Sequence, residues 1–156
     1  VSLSPSGRIL GVGTVGGQLH LLNLKTGESR VVEPQPGQWV ESIDWSPDGK
    51  RFAVSGHHVA QVWDATTYEL LATLSAHHET VVKVDWSPDG RRLLTADSRG
   101  QIFVWDPDLA KPSLVLTTPI GRLVSAAWSS DGYRIIAGSD EKIIVWDAEN
   151  GYRAAD

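Results

Sequence analysis

The chain has 156 residues, a formal net charge of −5 and 41% hydrophobic residues, which is typical of one globular domain with a buried core. These values exclude a disordered chain and a membrane-spanning helix, and the modest acidity argues against nucleic acid as a partner. Cysteine is absent, which excludes disulfides and thiolate chemistry and permits a reducing compartment, so we expect a cytoplasmic protein.

Three sequence markers repeat along the chain with one period of 41 or 42 residues. A four-residue turn ending in Asp-Gly or Ser-Gly begins at Ser4, Ser46, Ser87 and Ser129. The tryptophans of a repeated "VWD" are Trp63, Trp105 and Trp146. The tryptophans directly before the turns are Trp45, Trp86 and Trp128. A shared period in three separate markers predicts four copies of one structural unit.

The first unit contains "GVGTVG" at residues 11–16, which has the G-x-G-x-x-G spacing of a dinucleotide-binding loop. Such a loop requires a helix directly after it, whereas "GQLHLLNL" follows and aligns with the third strand of the other units. We therefore interpret the glycines as part of a second strand and its hairpin, with "VGG" at 15–17 supplying positive φ angles. We expect packing to be loosest here, because the glycines lack bulk.

The second unit contributes Trp39, which lies outside both tryptophan ladders, and the pair His57-His58. Together with His77-His78 these residues make four histidines, a number that could ligate zinc. No cysteine or carboxylate clearly completes such a site, so we expect no metal and no cofactor. Trp39 is consistent with either a packing residue at a strand start or an exposed binding residue.

The third unit shows the strand pattern most clearly. "VVKVDW" at 81–86 alternates apolar and polar residues, a tight "SPDG" turn follows, and "RRLLTA" at 91–96 and "QIFVWD" at 101–106 form the next two strands. "PDLAKP" at 107–112 is predicted as a loop and "SLVLTT" at 113–118 as a fourth strand. The chain is therefore predicted to be all-β, with four strands in each unit.

With its "VWD" ends, its "SPDG" turns and its period, the sequence resembles the WD-repeat β-propeller family over essentially its whole length. The resemblance implies four blades of four antiparallel strands, at about residues 1–38, 39–78, 79–121 and 122–156, each running from inner to outer strand. Rings of this family usually have seven or eight blades, so four blades imply half a ring, and a closed ring of four blades is the alternative that fits the family less well. We expect either a homodimer that completes eight blades or a longer chain, which the absence of methionine at position 1 also favours.

The resemblance also implies a buried chain of hydrogen bonds in each blade, running from a His through a Ser or Thr to the Trp of "WD", with an Asp in the next turn. The third blade supplies His77, Thr95 and Trp105, with Arg99 at the Asp position and Asp97 as a substitute from a shifted turn. The fourth has Asp140 and Trp146 but Pro119 and Ala137 at the other positions. The second has Trp63 with Pro36 and Val54, and the first has Leu22-Asn23 in place of "WD".

The loops that enter the inner strands and the turns between second and third strands meet at one rim of such a propeller. We expect partner proteins or peptides to bind there, at a rim that carries Trp39, His57, His58, His78, Glu79, Arg99, Arg122, Asp140 and Glu141. The sequence has no G-x-S-x-G, H-E-x-x-H or P-loop motif, and its repeated aspartates are turn formers, so we expect no catalysis. The favoured function is a protein-interaction scaffold. The alternatives are a sensor module of a larger signalling protein and a propeller-based enzyme.

Overall fold

The computed structural model describes residues 1–118, 122–139 and 142–155, and these residues form sixteen strands in four antiparallel sheets. The strands of the first two sheets are β1 (Ser2–Leu3), β2 (Ile9–Gly13), β3 (Leu19–Asn23), β4 (Ser29–Val32), β5 (Ser42–Trp45), β6 (Arg51–Ser55), β7 (Ala60–Asp64) and β8 (Leu70–Leu74). Those of the last two are β9 (Val81–Trp86), β10 (Leu93–Asp97), β11 (Gln101–Asp106), β12 (Lys111–Thr117), β13 (Leu123–Trp128), β14 (Arg134–Ser139), β15 (Ile143–Asp147) and β16 (Arg153–Ala155). In these ranges no helix is long and apolar enough to cross a membrane. The predicted all-β class with four-stranded blades is confirmed.

Each sheet is a simple meander in which consecutive strands pair, and each lies within one of the four sequence units. The first strands of neighbouring sheets contact one another, β1 with β5, β5 with β9 and β9 with β13. These first strands are therefore the inner strands of the blades, and the fourth strands lie outermost. We number the blades one to four in chain order.

The strands of blade three largely match their sequence pattern, with two corrections. The second strand was predicted at 91–96, whereas β10 spans Leu93–Asp97. Strands β9 and β11 have the predicted bounds. The outermost strand β12 begins at Lys111, so the predicted loop "PDLAKP" ends two residues early. Pro112 pairs with Trp105 at a register shift, which an outermost strand tolerates because its second edge needs no ladder hydrogen bond.

The repeated "SPDG" turn is stabilised by its own side chains. In blade two the Ser46 hydroxyl donates to Asp48 Oδ1 at 2.7 Å and accepts from the Arg51 amide at 2.9 Å. Gly49 has a φ of 69°, a conformation that glycine adopts without strain. The same contacts recur around Ser87 and Ser129, so the repeated turn closes the inner hairpins of blades two, three and four in the same way.

The aspartate of "WD" caps the turn between the third and fourth strands. Asp64 Oδ1 accepts the amides of Thr66 and Thr67, both at 2.7 Å. Asn23 makes the same pair of bonds to Lys25 and Thr26 in blade one. The loss of "WD" from the first unit therefore preserves the turn, because an Asn side chain supplies the same acceptor.

The core is layered between the sheets. One cluster of buried side chains joins blades one and two around Leu19, Ile43 and Phe52. A second joins blades two and three around Val62 and Trp105. The third and largest joins blades three and four, and includes Leu94, Ile102, Trp128, Ile135 and Trp146. Each blade is thus stabilised by burial against its neighbours, as in other stacked repeats.

Close packing at Gly13 and at the adjacent Gly17 contradicts the expectation that packing is loosest at "GVGTVG", whereas Gly11 and Gly16 have no such close neighbour. A Cβ atom on Gly13 would overlap the side chain of Val40 from blade two, and one on Gly17 would overlap the carbonyl of Gln35. Of the predicted "VGG" turn only Gly17 takes a positive φ, of 86°. The absent side chains let the entry to blade two lie directly on blade one.

Candidate functional site

One carboxylate at each joint bonds blade three to blade two and blade four to blade three. Asp44 of β5 accepts the Trp86 backbone amide at 2.7 Å, and Asp85 of β9 accepts the Trp128 amide at the same distance. Burial raises the pKa of Asp44, and burial together with the nearby Asp44 charge raises the pKa of Asp85 to about 6. These bonds hold the inner strands in register across the blade joints, so the loops at their ends have fixed relative positions.

Backbone hydrogen bonds bring the predicted rim loops together. The Val40 amide donates to the Thr14 carbonyl at 3.0 Å and the Val81 amide to the Gly56 carbonyl at 3.0 Å. In both cases the loop that enters one blade is bonded to the turn between the second and third strands of the blade before it. The rim is therefore built from paired segments of neighbouring blades.

Trp39 and His57, both predicted rim residues, share one cavity at the joint of blades two and three. The cavity has a volume of about 210 Å³ and is also lined by Gln38, Glu41 and Thr80. The Trp39 side chain is 62% exposed, which settles its environment as surface rather than core. Its backbone packs tightly against Gly56 of the neighbouring turn: a Cβ atom on Gly56 would lie only 2.6 Å from the Trp39 carbonyl oxygen. A large aromatic surface is thus presented on a firmly held backbone.

His57 and His58 contact each other at this rim in an edge-to-face arrangement, with ring centroids 3.7 Å apart. His58 has a φ of 64°, in the left-handed region that non-glycine residues seldom adopt. Such local strain persists only where the surroundings impose it. The tight turn fixes the direction of the exposed His57 ring next to Trp39.

The remaining described rim residues are charged or polar and mostly exposed. Arg99 Nε lies 3.0 Å from Glu79 Oε1, and His78 and Arg122 are exposed. An exposed pair of this kind contributes little to stability, because solvent screens it. Asp140 and Glu141, the other two predicted rim residues, lie outside the described residues, so the position of their carboxylates stays a prediction.

The hydrogen-bond chain in blade three runs through four side chains. The Trp105 indole donates to Thr95 Oγ1 at 2.7 Å, and Thr95 Oγ1 lies 2.7 Å from His77 Nε2. His77 Nδ1 lies 3.0 Å from Asp97 Oδ2. The acidic member is thus Asp97, and Arg99 instead donates its backbone amide to the other oxygen of Asp97. Burial lowers the pKa of His77, against the opposing effect of Asp97, which favours a neutral ring that donates to Asp97 and accepts from Thr95.

The other blades lack this chain for reasons visible in the side chains. In blade two the Trp63 indole nitrogen is buried without a hydrogen-bond partner, because Val54 stands where blade three has Thr95. In blade four Trp146 is buried opposite the segment that holds Ala137. Asp140 and Pro119, the other predicted members of that blade, lie outside the described residues. In the described part of the chain, blades two and four therefore pack around apolar side chains without this hydrogen-bond chain.

The histidines do not form a zinc site in the part of the chain that is described. Both ring nitrogens of His77 are used in the buried chain, one on Asp97 and one on Thr95. Among the described residues no group of three or more His, Asp or Glu side chains is placed to hold a metal ion. The four-histidine hypothesis therefore has at most three members with accessible nitrogens.

A larger cavity on the opposite side of blades three and four was not predicted from the sequence. It has a volume of about 820 Å³ and lies among the "SPDG" and "WD" turns, with Asp89, Asp106, Asp131, Tyr133 and Asp147 in its lining. Hydrogen bonds from Ser87 and Ser129 hold the pKa of Asp89 and Asp131 below the ordinary value. These carboxylates are ionised turn acceptors, an arrangement that suits folding and not proton transfer.

Sequence reasoning also missed the residues that join the blades. Asp44 and Asp85 stand in a repeated "DW" before the turn, and Arg51 and Arg92 stand two residues after its glycine. Both repetitions share the 41-residue step and could have signalled a role. Their partners lie in the next blade, which strand patterns within one unit do not reveal.

Three stretches of the chain match the family described as "WD domain, G-beta repeat", at residues 29–64, 68–106 and 111–147. Each stretch begins with the outer strand of one blade and ends at the capping aspartate of the next. The sequence repeat is thus offset by one strand from the sheet, so every repeat links two neighbouring blades.

Proteins similar to this chain include cell division cycle 20.1, cofactor of APC complex, from Arabidopsis thaliana, at 27% identity over 78% of this chain and 27% of the relative. The U3 small nucleolar RNA-associated protein 12 of Saccharomyces cerevisiae is 30% identical over 69% of this chain and 12% of its own length. Human echinoderm microtubule-associated protein-like 2 is 29% identical over 69% of this chain and 17% of its own length. The chain thus spans roughly a quarter or less of these curated relatives.

A chain in the crystal structure of the mitotic checkpoint complex has the same fold. It superposes with a TM-score of 0.86 at 20% identity, over 98% of this chain and 49% of the other. The four blades described above therefore correspond to about half of that chain. With family matches over most of its length, the chain belongs to the WD-repeat family of β-propellers.

Proposed function

We propose that this chain is a non-catalytic interaction platform on which other proteins or peptides dock at the rim around Trp39. The observation that carries the proposal is the exposed Trp39 beside His57, at a cavity in the joint of two blades. Exposed tryptophans that lie over a small cavity are common anchors in protein interfaces, because they bury a large area with little loss of side-chain freedom.

The polar surroundings of Trp39 suit such an anchor. Glu41 lines the same cavity, and the Glu79–Arg99 pair and Arg122 are solvent-accessible groups of the predicted rim. Protein interfaces typically combine an aromatic centre with a polar rim. Since the exposed ion pair contributes little in the free protein, a partner can recruit either charge at small cost.

The carboxylates of the repeated turns support a role without catalysis. Asp48, Asp89 and Asp131 each accept a serine hydroxyl and a backbone amide within their own turn. Those hydrogen bonds hold the pKa of each carboxyl below its ordinary value, whereas a general acid at neutral pH requires a raised pKa. The net charge of −5 favours protein partners over nucleic acid.

The two sheet faces at the ends of the four-blade array, on blade one and on blade four, also require partners. The Leu3 side chain on blade one and the Ile136 and Ile143 side chains on blade four are exposed. Apolar sheet faces are normally covered. The proposed platform is therefore completed either by a second copy, which makes an eight-bladed ring, or by further blades of a longer chain.

The rim is tested by affinity capture from a cell extract with the immobilised chain and two variants. Trp39→Ala removes the proposed anchor, and Tyr152→Ala removes an aromatic side chain of similar exposure near the end of the chain. The proposal expects proteins that the wild-type chain and Tyr152→Ala capture and Trp39→Ala does not. Equal capture by all three chains would remove Trp39 from the binding site.

A further inference from the structure

A repeated arginine fastens each of two blades to the tryptophan of the next one. The Arg51 guanidinium lies 4.8 Å from the centre of the Trp86 ring, and the Arg92 guanidinium lies 4.5 Å from that of Trp128. Arg51 also donates to the Gly90 carbonyl at 3.4 Å, and Arg92 to the Gly132 carbonyl at the same distance. We call this arrangement the arginine clasp: a flat cation over the inner-strand tryptophan of the next blade, bonded to that blade's turn.

Each clasp has one additional bond that depends on the joint. Arg51 forms an ion pair with Asp108 at 2.7 Å, whereas Arg92 donates to the Ala148 carbonyl at 2.8 Å. Both acceptors follow the capping aspartate of the next blade. The arginine of each clasp therefore contacts two turns of the next blade as well as its tryptophan.

Blade four carries the third arginine of this series. Arg134 stands two residues after Gly132, as Arg92 stands two after Gly90, and its side chain is exposed. Ile136 lies two residues further along β14 and is 39% exposed. Ile143 lies on the adjacent strand β15 and is 62% exposed. We call Arg134, Ile136 and Ile143 the forward face of blade four. In blade three the equivalent residues are Arg92, Leu94 and Ile102, and the two apolar ones are fully buried against blade four.

We propose that the forward face of blade four docks a further blade of the WD type whose inner strand ends in tryptophan, with Arg134 stacked on that ring. This proposal rests on the completion of the ring put forward above and specifies its chemistry. Continuity with the two described joints supports it, because the same sequence position makes the same contact twice. On this side no aspartate can accept the amide of the next blade's tryptophan as Asp85 does for Trp128, since Ala127 stands where blade three has Asp85. Arg134 is then the polar contact that selects the neighbour.

Blade one of a second copy is a weaker occupant for a specific reason. Leu3 stands at the register position of Trp45, Trp86 and Trp128, directly before the turn. A leucine side chain gives no π face to the guanidinium. The second copy keeps only carbonyl acceptors for Arg134, so self-association through this face is expected to be weak.

Leu3→Trp converts blade one into the preferred neighbour and supplies the probe within the same chain. Leu3 is half exposed, so the substitution leaves the described joints intact. A cation over a tryptophan changes a binding constant by about tenfold at one joint, and a closed ring of two copies contains two such joints. Light scattering over a range of concentrations is expected to show Leu3→Trp dimerising about a hundredfold more tightly than wild type.

Arg134→Ala in the Leu3→Trp background is expected to reverse this gain, and Arg134→Lys to reverse most of it, because lysine keeps the charge without the flat guanidinium. Arg91→Ala is the matched control, since Arg91 is an exposed arginine of the blade-three turn outside the clasp. Melting curves check that all variants fold. A Leu3→Trp chain that dimerises no better than wild type, or one that is indifferent to Arg134→Ala, overturns the clasp at this face. Capture at the Trp39 rim is measured separately, so failure of the rim and failure of the clasp are distinguishable.

Discussion

Asp85 and Trp128 join two blades through two hydrogen bonds, one accepted by the carboxylate of Asp85 and one by its backbone carbonyl. The Trp128 amide donates to Asp85 Oδ2 at 2.7 Å and its indole donates to the Asp85 carbonyl at 3.1 Å. The Arg92 guanidinium covers the same indole from the side. A half-buried carboxyl is thus placed among backbone groups and next to a second carboxyl, Asp44, so its ionisation opposes folding.

Asp85→Asn is expected to stabilise the chain near neutral pH. The pKa of Asp85 is about 6 in the folded chain and near the ordinary 3.8 when unfolded, so the folded state holds its proton to higher pH. Stability from this group is therefore fully present below pH 3.8 and falls as pH rises through about 6. Asparagine keeps an acceptor for Trp128 and cannot ionise. The stability advantage of the variant should grow by about 1–2 kcal/mol between pH 4 and pH 7.5, measured by urea unfolding.

Asp131→Asn is the matched control because its pKa moves in the other direction. The Ser129 hydroxyl and the Tyr133 amide hold the pKa of Asp131 below its ordinary value. Its contribution is present at neutral pH and is lost as pH falls through the folded pKa, so this variant should be the less stable chain at pH 7 and approach wild type in acid. Parallel pH profiles for the two variants would contradict the assignment of the joint carboxyl.

Thr95→Val is expected to destabilise the chain, because the Thr95 hydroxyl is the hydrogen-bond partner of two buried ring nitrogens. Its hydroxyl accepts from the Trp105 indole and is bonded to His77 Nε2. Valine has the same shape and leaves both ring nitrogens without a partner, at a cost of about 2–4 kcal/mol. Thr73→Val on the exposed face of β8 is the control and should change the free energy of unfolding by no more than about 0.5 kcal/mol. A cost for Thr95→Val no larger than for its control would mean that the chain contributes nothing to stability.

The sequence predicted the fold because the turns that end the strands are formed by residues close together in the sequence. Ser46, Asp48 and Gly49 close a hairpin with contacts inside five residues, and the same letters recur in blades three and four. The role of Asp97 was less predictable, since the His-to-Trp chain requires only that a carboxylate reach His77 Nδ1 and does not fix its place in the turn.

The joints were not predictable from one unit at a time. Gly13 reads as missing bulk, yet the space belongs to Val40 of the next blade. In the sequence Trp39 was equally consistent with core and surface. Its place at a cavity depends on the close packing of its backbone carbonyl against Gly56. Properties that depend on two blades are set by packing between segments about 40 residues apart, and a local pattern carries no record of that packing.

Ala110→Gly is expected to raise stability, because the turn after "WD" requires a left-handed residue. The equivalent positions are Gly27, Tyr68, Ala110 and Gly151, with φ between 49° and 76°. A Cβ in this region costs about 1 kcal/mol, and the exposed Ala110 gains nothing from its methyl group. The expected gain is about 0.5–1 kcal/mol in thermal or urea unfolding. Gly27→Ala is the reciprocal test, since no atom lies near its added Cβ, and it should lose about 1 kcal/mol.

Gly13→Ala is expected to loosen the joint of blades one and two. The added Cβ overlaps Val40, whose amide is also bonded to the Thr14 carbonyl, so the entering loop must move away from blade one. Overpacking of this kind costs about 1–3 kcal/mol. Gly138→Ala is the matched control, because Gly138 is also a strand glycine with ordinary φ and its added Cβ meets nothing within 4 Å. Adding Val40→Gly to Gly13→Ala, which removes both Val40 side-chain atoms that the added Cβ would overlap, should restore part of the loss, whereas the same change in the wild-type chain only removes contacts. Purely additive effects in this double-mutant cycle would show that the glycine serves the strand itself and not the approach of the next blade.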